Sequence, residues 1–105
     1  MEMVTVYLGL LRRGPRAAEW DERPHELEQL QEAHLANIRR MYEIGKLLIA
    51  GPCTDNGDLR GVYVFKTESL AEAEALAQSD PSVQAGRLWF EFHPWMIPSG
   101  VLAGA

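Results

Sequence analysis

Four segments of the chain have the hydrophobic patterns of β-strands. In residues 3–11, the even-numbered residues from Val4 to Leu10 share one face of a strand, because successive side chains point to opposite sides. Three further segments are apolar throughout or alternate in the same way: residues 47–50, 61–65 and 88–95. The turn-forming residues 55–58 separate the second and third strands, which predicts an antiparallel hairpin.

Two other segments have the features of α-helices. The first, residues 24–45, begins with a proline and ends with a glycine, as helices commonly do. Its apolar residues recur every three or four positions, which predicts an amphipathic helix with His34 in the middle of the apolar stripe. The second is alanine-rich and follows a capping box formed by Ser69 and Glu72, so we expect a helix from there to about residue 78.

The predicted order of elements is β-α-β-β-α-β. Residues 12–23 form a loop ahead of the first helix, and this loop is longer than most connections in a compact domain. The order predicts an α+β, ferredoxin-like fold, in which right-handed crossovers place both helices on one face of a four-stranded antiparallel sheet. We expect residues 1–97 to form this single domain and residues 98–105 to form a loose C-terminal tail.

The face of the sheet away from the helices is expected to carry large apolar groups. Such residues fall on alternating strand positions: Tyr7, Tyr63, Phe65 and Trp89. Monomers seldom expose an apolar patch of that breadth. The sequence therefore predicts a homodimer that packs through the helix-free sheet face, most simply with two-fold symmetry.

Composition and charge exclude several classes of partner. With 105 residues, of which 47% are hydrophobic, the chain is long enough for one hydrophobic core. A net charge of −5 argues against a nucleic-acid partner, since such proteins neutralise phosphates with Lys and Arg. No apolar run approaches the roughly 20 residues of a membrane-spanning helix, and no leader is evident, so we expect no membrane association. The single cysteine, Cys53, forms no internal disulfide, which fits a cytoplasmic protein.

No metal and no cofactor are predicted. The three histidines, His25, His34 and His93, are far apart in the sequence and form no metal-binding motif, and Cys53 would supply one ligand at most. His25 is interpreted as a surface residue at a helix start, and His93 as a strand-end residue. A glycine-rich phosphate-binding loop is also absent, because no helix opens after the glycines of the hairpin.

Residues 79–86, Ser-Asp-Pro-Ser-Val-Gln-Ala-Gly, connect the second helix to the last strand. Asp80 precedes Pro81 in the arrangement of an N-cap, and Gly86 is suited to end the short helical turn that follows. A cap alone would account for Asp80, and proton transfer together with His34 is the alternative. His34 has two interpretations as well, as a core histidine with satisfied ring nitrogens or as a pocket residue.

Four segments spread over nearly the whole chain form a distinctive combination: Glu-Ala-His-Leu-Ala at 32–36, Gly-Lys-Leu-Leu-Ile-Ala-Gly-Pro at 45–52, Gly-Val-Tyr-Val-Phe at 61–65 and the segment at 79–86. In this combination the chain resembles the YCII-related family, small proteins of the dimeric α+β barrel superfamily. The resemblance implies that His34 and Asp80 are the active-site pair. The 12–23 loop departs from the shortest members of the family, so no substrate is carried over.

A His-Asp pair suits proton transfer near neutral pH. Imidazole, with a reference pKa near 6.5, can accept and return a proton, while a carboxylate on its other nitrogen fixes the tautomer. No nucleophile is evident beside the pair, which favours isomerisation or elimination on a small organic substrate over acyl transfer. The alternative is a non-catalytic module that binds a small ligand or acts as an accessory, with His34 and Asp80 joined by a structural hydrogen bond.

Three further residues are weaker candidates for a substrate pocket: Tyr7, Tyr63 and Arg60. They lie on or beside predicted strands, where they could line a pocket between sheet and helices or at the dimer interface, with a mostly apolar lining and a few polar groups. Interface packing is the alternative for the two tyrosines. A solvated side chain is the alternative for Arg60.

Overall fold

The computed structural model describes residues 1–105 and contains four strands and four helices. In chain order they are β1 (Met3–Arg13), α1 (Ala17–Asp21), α2 (Pro24–Glu43), β2 (Leu47–Pro52), β3 (Leu59–Phe65), α3 (Leu70–Gln78), α4 (Pro81–Gln84) and β4 (Leu88–Pro98). The strands form one antiparallel sheet in the order β2-β3-β1-β4. The predicted ferredoxin-like α+β arrangement, with helices on one face of a four-stranded sheet, is confirmed. No helix combines the length and the apolar character needed to cross a membrane.

Local signals set the helix ends, although only the serine half of the predicted capping box forms. The hydroxyl oxygen of Ser69 accepts a hydrogen bond from the Glu72 backbone N–H at 3.1 Å and so caps α3. The Glu72 carboxylate pairs with Lys46 Nζ at 2.8 Å, which ties α3 to the start of β2. Gly45 and Gly86 both have φ of 75°, the left-handed conformation that ends a helix at low cost for glycine.

Two elements differ from the sequence-based expectation. The predicted 12–23 loop contains the short helix α1, and β4 continues past Pro94 to Pro98. β1 and β4 pair over their whole lengths, from Met3 opposite Pro98 to Arg13 opposite Leu88, so the ladder carries both strands beyond their alternating segments. β4 is an edge strand, where a residue without a backbone N–H is tolerated.

The main core lies between the sheet and the helices. Met41 of α2 and Ala73 of α3 join strand residues in one buried cluster that also contains Leu11, Leu47, Tyr63, Phe65 and Leu88. Phe90 packs against this cluster and meets Tyr63 edge-on, with ring centroids 5.0 Å apart. Of the four large residues on alternating strand positions, Tyr7, Tyr63 and Phe65 thus belong to the helix side, and Trp89 lies on the helix-free face.

The helix-free face carries a second apolar cluster. Its buried residues are Val6, Val64 and Ile97, and no helix residue belongs to it. Leu102 and Ala105, which follow β4, pack against this cluster. The boundary between a domain of residues 1–97 and a loose tail of residues 98–105 stays a prediction.

Candidate active site

Asp80 lies between α3 and α4 and is fully buried. Its Oδ1 atom accepts a hydrogen bond from the Ser82 backbone N–H at 2.8 Å, while Pro81 occupies the first position of α4. The N-cap interpretation of Asp80 is therefore confirmed for this oxygen. The second carboxylate oxygen makes a different contact.

His34 lies in the middle of α2 and is 5% exposed, on the stripe that packs toward the sheet. Its Nδ1 atom is 2.6 Å from Asp80 Oδ2, a short hydrogen bond to a charged acceptor. Because a carboxylate is an acceptor, the neutral imidazole carries its proton on Nδ1, where it donates to Asp80. The lone pair of the neutral ring is then on Nε2.

The Tyr63 hydroxyl lies 3.3 Å from His34 Nε2. Burial raises the pKa of the Tyr63 phenol well above its usual range, and the negative charge of Asp80 raises it further. The phenol therefore keeps its proton at neutral pH, and its O–H can donate to Nε2. Three side chains from α2, β3 and the α3–α4 junction thus form one chain of hydrogen bonds, from Asp80 through His34 to Tyr63.

Side chains next to Asp80 fix α2 against this junction. Arg40 Nη2 donates to Asn37 Oδ1 at 2.9 Å and to Ser79 Oγ at 3.0 Å. Asn37 and Arg40 follow His34 by three and six residues on α2, and Ser79 directly precedes Asp80. These bonds fix the part of α2 that carries His34 relative to the α3–α4 junction that carries Asp80.

A cavity of about 270 Å³ opens beside His34. Part of its wall is apolar, from Leu11, Ile38 and Leu88 among others, and its polar lining residues are Gln31, His34, Arg60, Tyr63 and Arg87. Ligand pockets for drug-sized molecules span roughly 300–1,000 Å³, so this one suits a small organic molecule.

The structure brings most of the predicted site residues to one place. His34, Tyr63 and Arg60 line the same cavity, and Asp80 lies behind His34. Tyr7 does not line it and packs against the main core instead, so a role for Tyr7 in ligand binding stays a prediction.

Arg87 is a cavity residue that the sequence analysis missed. It directly precedes β4, just as Arg60 lies at the start of β3. β3 and β4 are both antiparallel to β1, so their first residues lie at the same end of the sheet. The strand-start position that singled out Arg60 applies equally to Arg87.

The remaining candidate groups lie away from the cavity. His93 Nε2 is 2.6 Å from Glu91 Oε2 at an exposed position on β4, and His25 is exposed in the first turn of α2. Cys53 is a free, partly buried thiol. No group of three or more His, Cys, Asp or Glu side chains is placed so that it could hold a metal ion.

Comparison with known proteins bears on the family and the fold. The family model described as the YCII-related domain matches residues 6–92. Among solved structures, the chain is similar to the 5-chloro-2-hydroxyhydroquinone dehydrochlorinase TftG from Burkholderia phenoliruptrix AC1100 in complex with 2,5-dihydroxybenzoquinone. The TM-score is 0.62 at 21% sequence identity, over 86% of this chain and 92% of that one. No curated protein sequence matches.

Proposed function

Because the chain belongs to the YCII-related family, we propose that it is an enzyme in which His34 and Asp80 perform acid/base catalysis on a small organic molecule. One observation carries this proposal: the 2.6 Å contact between the two side chains lies at the wall of a cavity that His34 itself lines. A buried pair without such an opening would have no access to a substrate.

In this proposal Nε2 of His34 removes a proton from the substrate. Asp80 accepts the hydrogen bond from Nδ1 and stabilises the imidazolium that forms, as the aspartate does in catalytic triads. The bond from the Ser82 N–H to the other carboxylate oxygen keeps Asp80 oriented while this happens. The histidine then returns the proton to the product or to the leaving group.

Tyr63 acts as a hydrogen-bond donor in the same step. At 3.3 Å its contact with Nε2 is long for a strong hydrogen bond, so a substrate hydrogen can replace it. Since its raised pKa keeps the phenol protonated, the O–H can instead donate to a substrate oxygen on which negative charge develops.

The reaction class that fits is isomerisation or elimination. In an elimination, Nε2 takes a proton, the electron pair of the broken bond forms a new double bond, and the leaving group departs with its own bonding pair. One solved structure that resembles this chain is of a protein named as a dehydrochlorinase, which supports the elimination class.

A non-catalytic ligand-binding module is the second candidate. The observation that favours it is that both ring nitrogens of His34 have protein partners, Asp80 on Nδ1 and Tyr63 on Nε2. In such a module the three side chains would be a structural network, and the cavity would bind a small molecule without changing it.

The test is chloride release from 5-chloro-2-hydroxyhydroquinone and from a panel of related halogenated hydroquinones, each with and without a ring carboxylate, by the wild-type protein and by His34→Gln. We expect turnover to fall by about 10²- to 10⁴-fold in the variant, the usual contribution of acid/base catalysis. His25→Gln is the matched control, because His25 is an exposed histidine on the same helix, and its turnover should equal that of the wild type.

The two candidates give different results. Unchanged turnover in His34→Gln would remove the pair from the mechanism. Compounds that bind the wild-type protein and are never transformed, together with a lower melting temperature of His34→Gln, would favour the binding module.

The proposed enzyme is a homodimer that associates through the helix-free face of the sheet. Support comes from the exposed apolar side chains on that face, which include Val62 and Trp89. Location in the cytoplasm stays a prediction.

A further inference from the structure

Two arginines lie where two cavities meet. Arg60 and Arg87 line the 270 Å³ cavity beside His34, which we call the inner cavity, and both also line a second cavity of about 320 Å³, which we call the outer cavity. Arg13, Asp21 and Asn56 belong to the outer cavity and are absent from the inner one. The two arginines therefore lie where the two cavities adjoin.

Neither of these arginines has a carboxylate partner. Arg60 Nη1 donates to the backbone oxygen of Gly57 at 3.2 Å and to Asn56 Oδ1 at 3.5 Å. Arg87 Nη1 donates to Gln31 Oε1 at 3.1 Å. All these acceptors are neutral, so the positive charges of both side chains are uncompensated by direct ion pairs.

The neighbouring charges do not remove this excess. Burial lowers the pKa of Arg87 most, the positive charges of Arg60 and Arg13 lower it further, and the negative charges of Asp21 and Asp80 raise it. Asp21 is engaged by Arg13 at 2.8 Å, and Asp80 is already hydrogen-bonded to His34 and to the Ser82 N–H. A half-buried guanidinium that faces other cations gains from a bound anion.

Backbone hydrogen bonds fix the main chain around Arg87 and so fix the position of its Cα atom. The Gly14 N–H donates to the Arg87 carbonyl at 2.7 Å, and the Arg16 N–H donates to the Gly86 carbonyl at 2.8 Å. The acceptor Gln31, on α2, orients the guanidinium from the other side. An anion at this place would meet a preorganised donor, which lowers the entropy lost on binding.

We propose that Arg60 and Arg87 bind the carboxylate of a small organic acid whose body occupies the inner cavity beside His34. The proposal deepens the proposed function, on which it rests for the chemistry at His34, by naming the substrate class. A planar guanidinium matches a carboxylate with two parallel hydrogen bonds. The inner volume limits the acid to a small one.

The test measures binding by calorimetry for three acids, benzoate, cinnamate and 2,5-dihydroxybenzoate, each against its uncharged primary amide. We expect at least one acid to bind the wild-type protein about tenfold or more tightly than its amide. Arg87→Gln and Arg60→Gln should each weaken the acid by about tenfold and leave the amide unchanged. Arg39→Gln, at an exposed arginine on α2 away from the cavity, is the matched control and should bind like the wild type.

A salt titration of the wild-type protein tests the proposal even if a variant fails to fold. Raising the KCl concentration should weaken binding of the acid and leave the amide unaffected, because salt screens the charge interaction. Equal binding of acid and amide, no binding of any of the three acids, or unchanged acid affinity in folded Arg87→Gln and Arg60→Gln would each overturn the proposal.

The same binding experiment on His34→Gln separates this proposal from the proposed function. If acid binding in that variant still depends on Arg87 while turnover is lost, both hold. If the preference for the acid is absent but His34→Gln abolishes turnover, the arginine site alone is wrong. If the preference is present and His34→Gln retains turnover, the acid/base mechanism alone is wrong.

Discussion

At the scale of single residues, the two carboxylate oxygens of Asp80 make two separate contacts. Oδ1 caps α4 by accepting the Ser82 N–H, and Oδ2 contacts His34. The cap does not compete with the His34 contact, because each uses a different oxygen. The two interpretations of Asp80 that the sequence left open are therefore compatible.

Asp80→Asn tests the two roles separately. The amide oxygen can still accept the Ser82 N–H, so α4 should stay capped. The amide NH₂ would donate to His34 Nδ1 and place the ring proton on Nε2, where it blocks proton abstraction. We expect turnover to fall by about 10⁴-fold, as in catalytic triads with this change, and stability to fall by about 1 kcal/mol.

Nitrogen NMR of the imidazole gives the direct readout for Asp80→Asn, since it reports which ring nitrogen carries the proton. An unprotonated Nε2 in the folded variant would contradict the expected tautomer. Asp55→Asn, at an exposed aspartate in the β2–β3 turn, is the control and should leave both turnover and tautomer unchanged.

Tyr63 should make the free energy of unfolding depend on pH in the alkaline range. Burial and the charge of Asp80 raise its pKa in the folded protein, whereas an unfolded tyrosine loses its proton near pH 10. Above pH 10 the unfolded chain thus binds fewer protons than the folded one, and the free energy of unfolding falls as pH rises. This contribution is fully present below pH 10.

Tyr63→Phe should remove that pH dependence. Between pH 10 and the folded-state pKa, the free energy of unfolding of the wild type should fall more steeply than that of the variant, by up to about 1.4 kcal/mol per pH unit. Urea denaturation on both sides of pH 10 measures the difference. Parallel curves for the two proteins would show that the phenol titrates alike in the folded and unfolded chains.

At the scale of elements, the segment around α1 is bound to the start of β4. Trp20 Nε1 donates to the Ala85 carbonyl at 3.0 Å, and the backbone of Gly14 donates to Arg87. A Cβ on Gly14 would lie 2.4 Å from the Gly86 carbonyl oxygen, closer than packed atoms approach. The long connection between β1 and α2 therefore forms part of the wall beside Arg87.

Gly14→Ala should destabilise the protein by about 1–3 kcal/mol, because one strand start must move to admit the methyl group. The expected fall in melting temperature is several degrees, roughly 4 °C or more for each kcal/mol in a domain of this size. Gly51→Ala is the matched control: nothing lies within 4 Å of the added carbon and its φ is not positive. Equal melting temperatures for the two variants would contradict the close packing at Gly14.

The helices that could be predicted from the sequence are those whose own residues carry a periodic apolar pattern or a capping residue. α2 and α3 have an apolar stripe or a serine cap, and Gly45 and Gly86 end helices where a left-handed residue is needed. The helix α1 has no capping side chain, and its position depends on contacts with residues more than 60 positions away. Such contacts leave no periodic pattern in the sequence.

At the scale of the whole molecule, the candidate site depends on how distant parts of the chain come together, which the sequence predicts only in part. His34 and Asp80 were expected to meet from the family resemblance, since the contact joins residues 46 positions apart and no local pattern records it. Which aromatic residues face the helices depends on strand register, and the alternating pattern left the face of Tyr63 and Phe65 open. The structure places both on the helix side. Arg87 lines the cavity together with Arg60 because β3 and β4 start at the same end of the sheet.

The helix-free face has an exposed apolar region that the C-terminal residues do not cover. Leu102 and Ala105 pack against the cluster of Val6 and Val64, while Val62 is 37% and Trp89 is 43% exposed. In the sheet Val62 is opposite Leu10, and Trp89 is opposite Arg12. A second copy related by a two-fold axis could bury these side chains against their equivalents.

Val62→Lys tests the proposed dimer, because it places two charges at a self-complementary apolar contact. We expect the wild type to sediment with twice the mass of the 11.8 kDa chain and the variant with the mass of one chain. Ile44→Lys is the matched control, since Ile44 is a 50% exposed aliphatic residue at the end of α2, and this variant should remain dimeric. A wild-type protein with the mass of a single chain would show that no dimer forms. A dimer that survives Val62→Lys but not Ile44→Lys would place the contact elsewhere on the surface. If the dimer forms as proposed, the helix side stays free, and each subunit keeps its own opening to His34.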